Sequence, residues 1–270
     1  MIRVTIWNEF VQERLDQKEF EFTKSWTADE EGKRILGEKA QEIRAIHGIG
    51  IHETLKKLVE EDEELVVKHF GTLDMEECGL SKEVLDDTDV LIWWAHIAHD
   101  QVPDEVAARV REYVLKGMGI IFLHSAHMCK PMQMLLGTSG TLRWREGDFC
   151  RIWTTSPTHP IAAGIPEAVE LEEEEMYGEY FDIPSPDDQV FLSWYRGGEV
   201  FRSGCTWTRG MGRIFYFQPG HETNRSYFNE YVRKIIRNAV KWTANTNVRR
   251  EKIECIHAEK SPESILAENL

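Results

Sequence analysis

The chain has 270 residues, 47 acidic against 32 basic side chains, and a formal net charge of -15. That length suits one large domain, and 41% hydrophobic residues with nine tryptophans exclude a disordered chain. The acidic balance argues against nucleic acid as a partner, because phosphates need a basic face, and against docking on an anionic membrane.

Ile2 to Trp7 reads as a first strand. A polar, charge-dense stretch comes next, about residues 9–45, too long for an ordinary βα loop of roughly 2–6 residues. It reads as an insertion, either a lid or a subunit contact, and so hints at a homo-oligomer. A helix begins after Gly48-Ile49-Gly50, with Ile51, Leu55, Leu58 and Val59 on one face. Leu65 to Phe70 is a second strand, Ser81 caps a short helix, and Val90 to Ala95 is a third strand. Pro103-Asp104-Glu105 opens a helix that Lys116-Gly117 closes. Gly119 to Leu123 is a fourth strand. Strands alternating with helices argue for a doubly wound, mainly parallel α/β sheet of flavodoxin-like type.

The middle, about residues 138–213, breaks into strand-like pieces such as Val190–Trp194 and Val200–Cys205, which predict an antiparallel extension. Ile214 to Phe217 returns as a core strand, and residues 228–242 form a long amphipathic helix. Residues 1–245 thus make one domain, and 246–270 a polar tail.

The five cysteines, Cys78, Cys129, Cys150, Cys205 and Cys255, are scattered without a C-x-x-C pair, which fits free thiols in a reducing cytosol. No secretory signal opens the chain, and no run nears the roughly 18 apolar residues of a membrane span. The expectation is a soluble, cytoplasmic protein.

Three apolar runs end in a histidine: His96, His124 and His221. Ligands of an open α/β sheet bind beyond the carboxyl ends of its strands, so these imidazoles are predicted to converge. His124-Ser125-Ala126 occupies the strand-to-helix turn where a nucleophile elbow would sit, which marks His124 as a base or ligand and Ser125 as a donor or nucleophile. His221-Glu222 adds an imidazole and a carboxylate suited to acid–base work. His96 and His99, placed on one helical turn, read as two ligands for a divalent metal, zinc first. Glu172–Glu175 reads mostly as a solvated charge run, although Glu175 or Glu179 could face inward. Trp94 and Tyr177 are candidate stacking surfaces for a sugar. No complete phosphate-binding or dinucleotide fingerprint is present.

Gly48-Ile49-Gly50-Ile51-His52, the His96 segment, Gly117–Ser125, His159-Pro160-Ile161, Glu174–Tyr177 and Gly220-His221-Glu222 together resemble the ThuA-like family of trehalose utilisation proteins. The resemblance spans about residues 2–245. It implies a class I glutamine amidotransferase-like fold and a role in catabolising trehalose or related disaccharides as oxidised keto-sugars. In amidotransferases the turn after the equivalent strand carries a cysteine; here it carries His124, so no glutaminase activity is expected. The implied catalytic set is His124, Ser125, His221 and Glu222, with Trp94, Glu175, Tyr177 and Glu179 on the substrate. The expectation is a keto-glycoside isomerase or hydrolase; a carbohydrate-binding scaffold without catalysis is the alternative.

Overall fold

The apolar runs of the sequence become the middle of a mixed sheet. The computed structural model describes residues 1–17, 30–245 and 249–268. In chain order the strands are β1 (Ile2–Asn8), β2 (Leu65–Thr72), β3 (Val90–Trp94), β4 (Gly119–Leu123), β5 (Arg143–Thr154), β6 (Ala168–Gly178), β7 (Asp188–Tyr195), β8 (Val200–Arg209) and β9 (Gly212–Phe217). The helices are α1 (Glu30–His47), α2 (Ile51–Val59), α3 (Lys82–Asp86), α4 (Asp104–Lys116), α5 (Lys130–Leu136), α6 (Glu230–Thr243) and α7 (Pro262–Glu268).

The strands lie in the order β2-β1-β3-β4-β9-β8-β7-β5-β6. The first five pair in parallel, and from β9 outward every pairing is antiparallel. β3 and β4 are buried at every position, as continuous apolar strands between helical layers must be. This is the doubly wound sheet with an antiparallel wing that the sequence predicts. Order 2-1-3-4 with a last parallel strand beyond is the flavodoxin arrangement, which places a switch point at the carboxyl ends of β1 and β3.

Local chemistry sets the element ends. Ser81 caps α3 by accepting from the Val84 amide at 3.4 Å, and Asn229 caps α6 by accepting from Tyr231 and Val232. α4 closes on Gly117, whose φ is 123°. At Gly119 a Cβ would lie 2.6 Å from the Thr243 carbonyl, so only glycine lets α6 come this close to the start of β4. Arg3 donates to both Asp89 oxygens, 2.8 Å from its amide to Oδ2 and 2.8 Å from its guanidinium to Oδ1, tying β1 to the turn before β3.

One expectation from the sequence needs correction, and two gain detail. The acidic run Glu172–Glu175 lies inside β6: Glu172 and Glu173 are exposed, but Glu174 and Glu175 are buried. The stretch 9–45 is partly helical, because α1 fills its second half; residues 18–29 lie outside the described residues. The polar tail begins against the domain. The Arg250 amide bonds the Lys116 carbonyl at 3.0 Å and Arg249 donates to the Thr88 carbonyl, before α7 runs over an exposed stretch. Residues 246–248 and 269–270 lie outside the described residues. Among those described, no helix is long and apolar enough to cross a membrane.

Candidate functional site

β3, β4 and β9 each end shortly before a loop that turns over the same edge of the sheet. The result is a triangle of imidazoles. Ring centroids of His96 and His124 are 5.0 Å apart, and His221 lies 5.3 Å from each. The wing supplies the fourth member: Glu175 of β6 brings Oε2 to 3.3 Å from His124 Nε2. One donor atom from each of these four residues falls within 4.8 Å of all the others.

His124 occupies the turn after β4 with φ 56°, a left-handed conformation unusual for a side chain with a Cβ. Such strain, of order 1–3 kcal/mol, persists only where the surroundings enforce it. Here the Tyr216 hydroxyl donates to the His124 carbonyl at 3.0 Å, and the imidazole Nδ1 faces the Gln218 carbonyl at 3.3 Å. The ring lies nearly parallel to those of Trp94 and Tyr177.

Each of the other two imidazoles is also held through Nδ1. His96 Nδ1 meets Glu222 Oε2 at 2.8 Å, and His221 Nδ1 meets the Thr223 hydroxyl at 2.8 Å. Glu222 is fully buried and also reaches Lys39 of α1 at 3.1 Å. Burial by itself would raise the Glu222 carboxyl, but His96, His221 and Lys39 hold it well below the ordinary range. Burial works to lower His96, and the facing Glu222 carboxylate outweighs it, so His96 is raised. Burial, with His96 and His221 nearby, pushes His124 well below the usual imidazole range, and burial takes His221 down to about 4. Burial lifts Glu175 to about 7 in spite of His96.

Two further glutamates hold the loops that carry the histidines. Glu9, just past β1, accepts from the amides of Ile97 at 2.9 Å and His96 at 3.1 Å. Glu174 of β6 accepts from the amides of Gly220 at 2.8 Å and His221 at 3.2 Å, and from the Ser226 hydroxyl. Both carboxylates are fully buried. Gln218 joins the two halves: it accepts from the Tyr195 hydroxyl at 2.7 Å and donates to the Glu175 carbonyl at 2.9 Å.

Two members of the cluster, His96 and Glu175, line a cavity of about 760 Å³, and His124 and His221 are buried beside them. Lys39 and Ile35 of α1 reach over it, His96, Ser125, His127, Glu175 and Tyr177 line it, and Trp144 stands at its rim, 60% exposed. The α1 part of the 9–45 stretch therefore lies over the site.

The structure brings His96, His124, Glu175, His221 and Glu222 together, with Ser125 and Tyr177 on the adjoining wall. It does not bring the rest. His99 begins a short 3-10 turn of its own, so it shares no helical turn with His96 and stands on the cavity wall instead. Trp94 is buried behind His124 and donates its indole N–H to the Gly220 carbonyl at 3.1 Å. Glu179 is taken up by Arg202, with two contacts of 2.9 Å. Sequence reasoning does not single out Glu9, Lys39 or Gln218, and Glu174 enters it only as the first residue of the Glu174–Tyr177 segment. Their only sequence signal is a polar side chain bordering an apolar run, which many solvated residues share.

The ThuA family, described as trehalose utilisation, matches residues 37–243. No curated protein sequence matches the chain. Among solved structures, a ThuA-like protein from Parabacteroides merdae is similar with a TM-score of 0.62 at 14% identity, over 93% of this chain and 92% of that one. A ThuA-like protein from Bacteroides uniformis gives 0.53 at 13% identity, over 91% and 92%. A cytoplasmic protein from Salmonella typhimurium gives 0.52 at 12% identity, over 73% and 87%. At such identities the structures speak for the fold alone. The family match covers most of the chain, and with it the strand-end histidines: the chain belongs to the ThuA family of trehalose utilisation proteins.

Proposed function

We propose that the chain is an enzyme of disaccharide utilisation that acts on an oxidised keto-sugar by acid–base chemistry. The observation that carries this reading is the meeting of three imidazoles and Glu175 within 4.8 Å, two of them, His96 and Glu175, in the wall of a cavity large enough for a sugar. A small-molecule site combines a shaped cavity with a few convergent polar groups, and this one does.

A ketone acidifies the carbon beside it. A base takes that proton, and the electron pair moves onto the carbonyl oxygen as an enolate. The step needs a base within hydrogen-bond reach and a group that holds the developing oxyanion. The cluster supplies imidazole and carboxylate bases. Lys39 and the Ser125 hydroxyl offer donors from the adjoining walls. Reprotonation at the neighbouring carbon isomerises the sugar, and loss of the glycosidic oxygen from the enolate cleaves the disaccharide. Trp144 at the rim offers a flat face for a pyranose ring. The five cysteines are free, and four of them are buried, which suits work in a reducing cytosol.

The test is turnover of keto-disaccharides, trehalose-derived first, measured by chromatography. Wild type converts substrate, while His124→Ala and His221→Ala lose at least about 100-fold in kcat/KM, the usual size of a lost acid–base group. Saturable sugar binding by calorimetry with no product identifies the scaffold reading instead. Unchanged turnover in both variants refutes the site.

A further inference from the structure

We infer that His96, His124, His221 and Glu175 are the ligands of one divalent transition-metal ion at the wall of the cavity. Its use on a ketone rests on the keto-sugar reading; its binding does not.

Three independent features of the cluster point to this. The first is reach: one donor atom from each of the four residues lies within 4.8 Å of the rest, a spacing that one ion spans. The second is orientation. All three imidazoles engage the protein through Nδ1, to the Gln218 carbonyl, the Glu222 carboxylate and the Thr223 hydroxyl. Metal-binding histidines are held in this way, by an outer partner on one ring nitrogen that aims the other at the ion. The third is unsatisfied chemistry. His124 Nε2 is fully buried and makes no hydrogen bond, and Glu175 Oε2, 3.3 Å away and also buried, makes none. Two buried polar atoms that face each other at this distance and make no hydrogen bond are costly unless a shared ion satisfies both. Charge agrees. Glu175 and Glu222 bring two carboxyl groups to the site, with Lys39 paired to Glu222 among the described residues.

The donor set also selects the ion. Three nitrogens and one carboxylate oxygen suit zinc, cobalt, iron or manganese, whereas calcium and magnesium take oxygen ligands almost throughout. His96 and Glu175 both line the cavity, so an ion held by them would be reached from the space where a sugar would lie. Bound there, it would supply Lewis-acid polarisation of a ketone oxygen, in place of the proton transfer that the four side chains would perform without it. The ligand set differs from the His96–His99 pair suggested by sequence spacing, because His99 lies outside the cluster.

The test is metal content of the purified full chain by mass spectrometry, then reconstitution of chelator-treated protein with zinc, cobalt or manganese. One equivalent per chain is expected, with a melting temperature that falls on chelation and recovers on reconstitution. The cobalt form should show the visible absorption of a nitrogen-rich site. Glu175→Gln and His221→Ala should weaken cobalt binding by roughly tenfold or more, whereas His99→Ala should retain it. Glu175→Gln keeps the side-chain shape, so its loss of metal is separable from loss of fold by circular dichroism. A protein that takes up no zinc, cobalt or manganese, and shows neither thermal shift nor cobalt spectrum, overturns the inference. Metal binding without turnover of any keto-disaccharide removes the sugar reading and leaves the metal site. Turnover by metal-free, chelator-treated protein keeps the sugar reading and overturns the ion's use on the ketone.

Discussion

Glu9→Gln is the substitution that best separates the physics of this site from its bulk. Glu9 is fully buried, and each of its oxygens faces a backbone amide, Oε1 the Ile97 N–H and Oε2 the His96 N–H. Burial pushes its carboxyl up, while the amides of Ile97, Ala98 and His96 act against that shift. Glutamine has almost the same shape, so no cavity is made. Yet whichever way its amide is turned, the NH2 group meets an N–H that cannot accept a hydrogen bond. One charge-assisted bond is lost and one buried donor is stranded, which together amount to about 3 kcal/mol. For a chain of this size that corresponds to a melting temperature lower by about 6–12 °C. The loss falls on the loop that presents His96, so turnover and cobalt affinity should drop even at temperatures where the variant stays folded. Calorimetry and a turnover assay, both run well below the transition for the activity part, check the two effects. A melting temperature equal to that of wild type, with activity intact, would falsify the claim that this carboxylate holds the loop.

The same geometry sets three further outcomes. Gly220→Ala places a Cβ 2.1 Å from the buried Tyr227 hydroxyl at a φ of 138°, so it should cost about 2–4 kcal/mol in urea denaturation; an unchanged midpoint refutes it. Trp94→Phe keeps a ring against His124 but strands the Gly220 carbonyl, and should cost about 1–2 kcal/mol by the same measurement; a neutral result means that the indole N–H is not needed there. Asp89 is pushed up by burial, yet Arg3 overrides this and holds it below the ordinary carboxyl range. Its stabilising effect is therefore complete above that range and disappears as pH falls through the lowered value. Asp89→Asn should lose about 1–2 kcal/mol at neutral pH, with the gap to wild type closing below about pH 4. A gap that stays constant from neutral pH down through the acid range contradicts the pairing.

The half of the site that lies on parallel strands is legible in the sequence. Val90–Trp94 and Gly119–Leu123 are apolar throughout because helices cover both of their faces, and such runs cannot be solvated. The residues just past these strands must emerge at one edge of the sheet, so the sequence alone places His96, His124 and His221 together. The other half is hidden because it rests on pairings distant in the chain. Glu9 meets His96 across 87 residues, and Glu174 meets Gly220 across 46. Neither residue differs in type from the exposed Glu172 and Glu173, and only β6 running inward at Glu174 and Glu175 separates them. The His96–His99 pairing fails for a local reason. Spacing by three implies a shared face only inside one helix, and Glu9 fixes the chain between them in a different path.

The antiparallel wing has a consequence for how the molecule assembles. β5 to β8 pair mainly with near neighbours in sequence, whereas β4 must wait for β9 across the whole wing, Ile120 opposite Ile214. Local hairpins close faster than such long loops, so the wing has its pairings available before the last parallel strand is in place. β9 is joined to β8 by a two-residue turn, so the contacts of Gly220 and His221 with Glu174 and of Gln218 with Glu175 stay within the wing and β9, and the pairing with β4 is what brings His124 to them. The four-residue cluster is therefore divided between the two sides of that last pairing: Glu175 and His221 belong to the wing and β9, while His96 and His124 wait on β3 and β4.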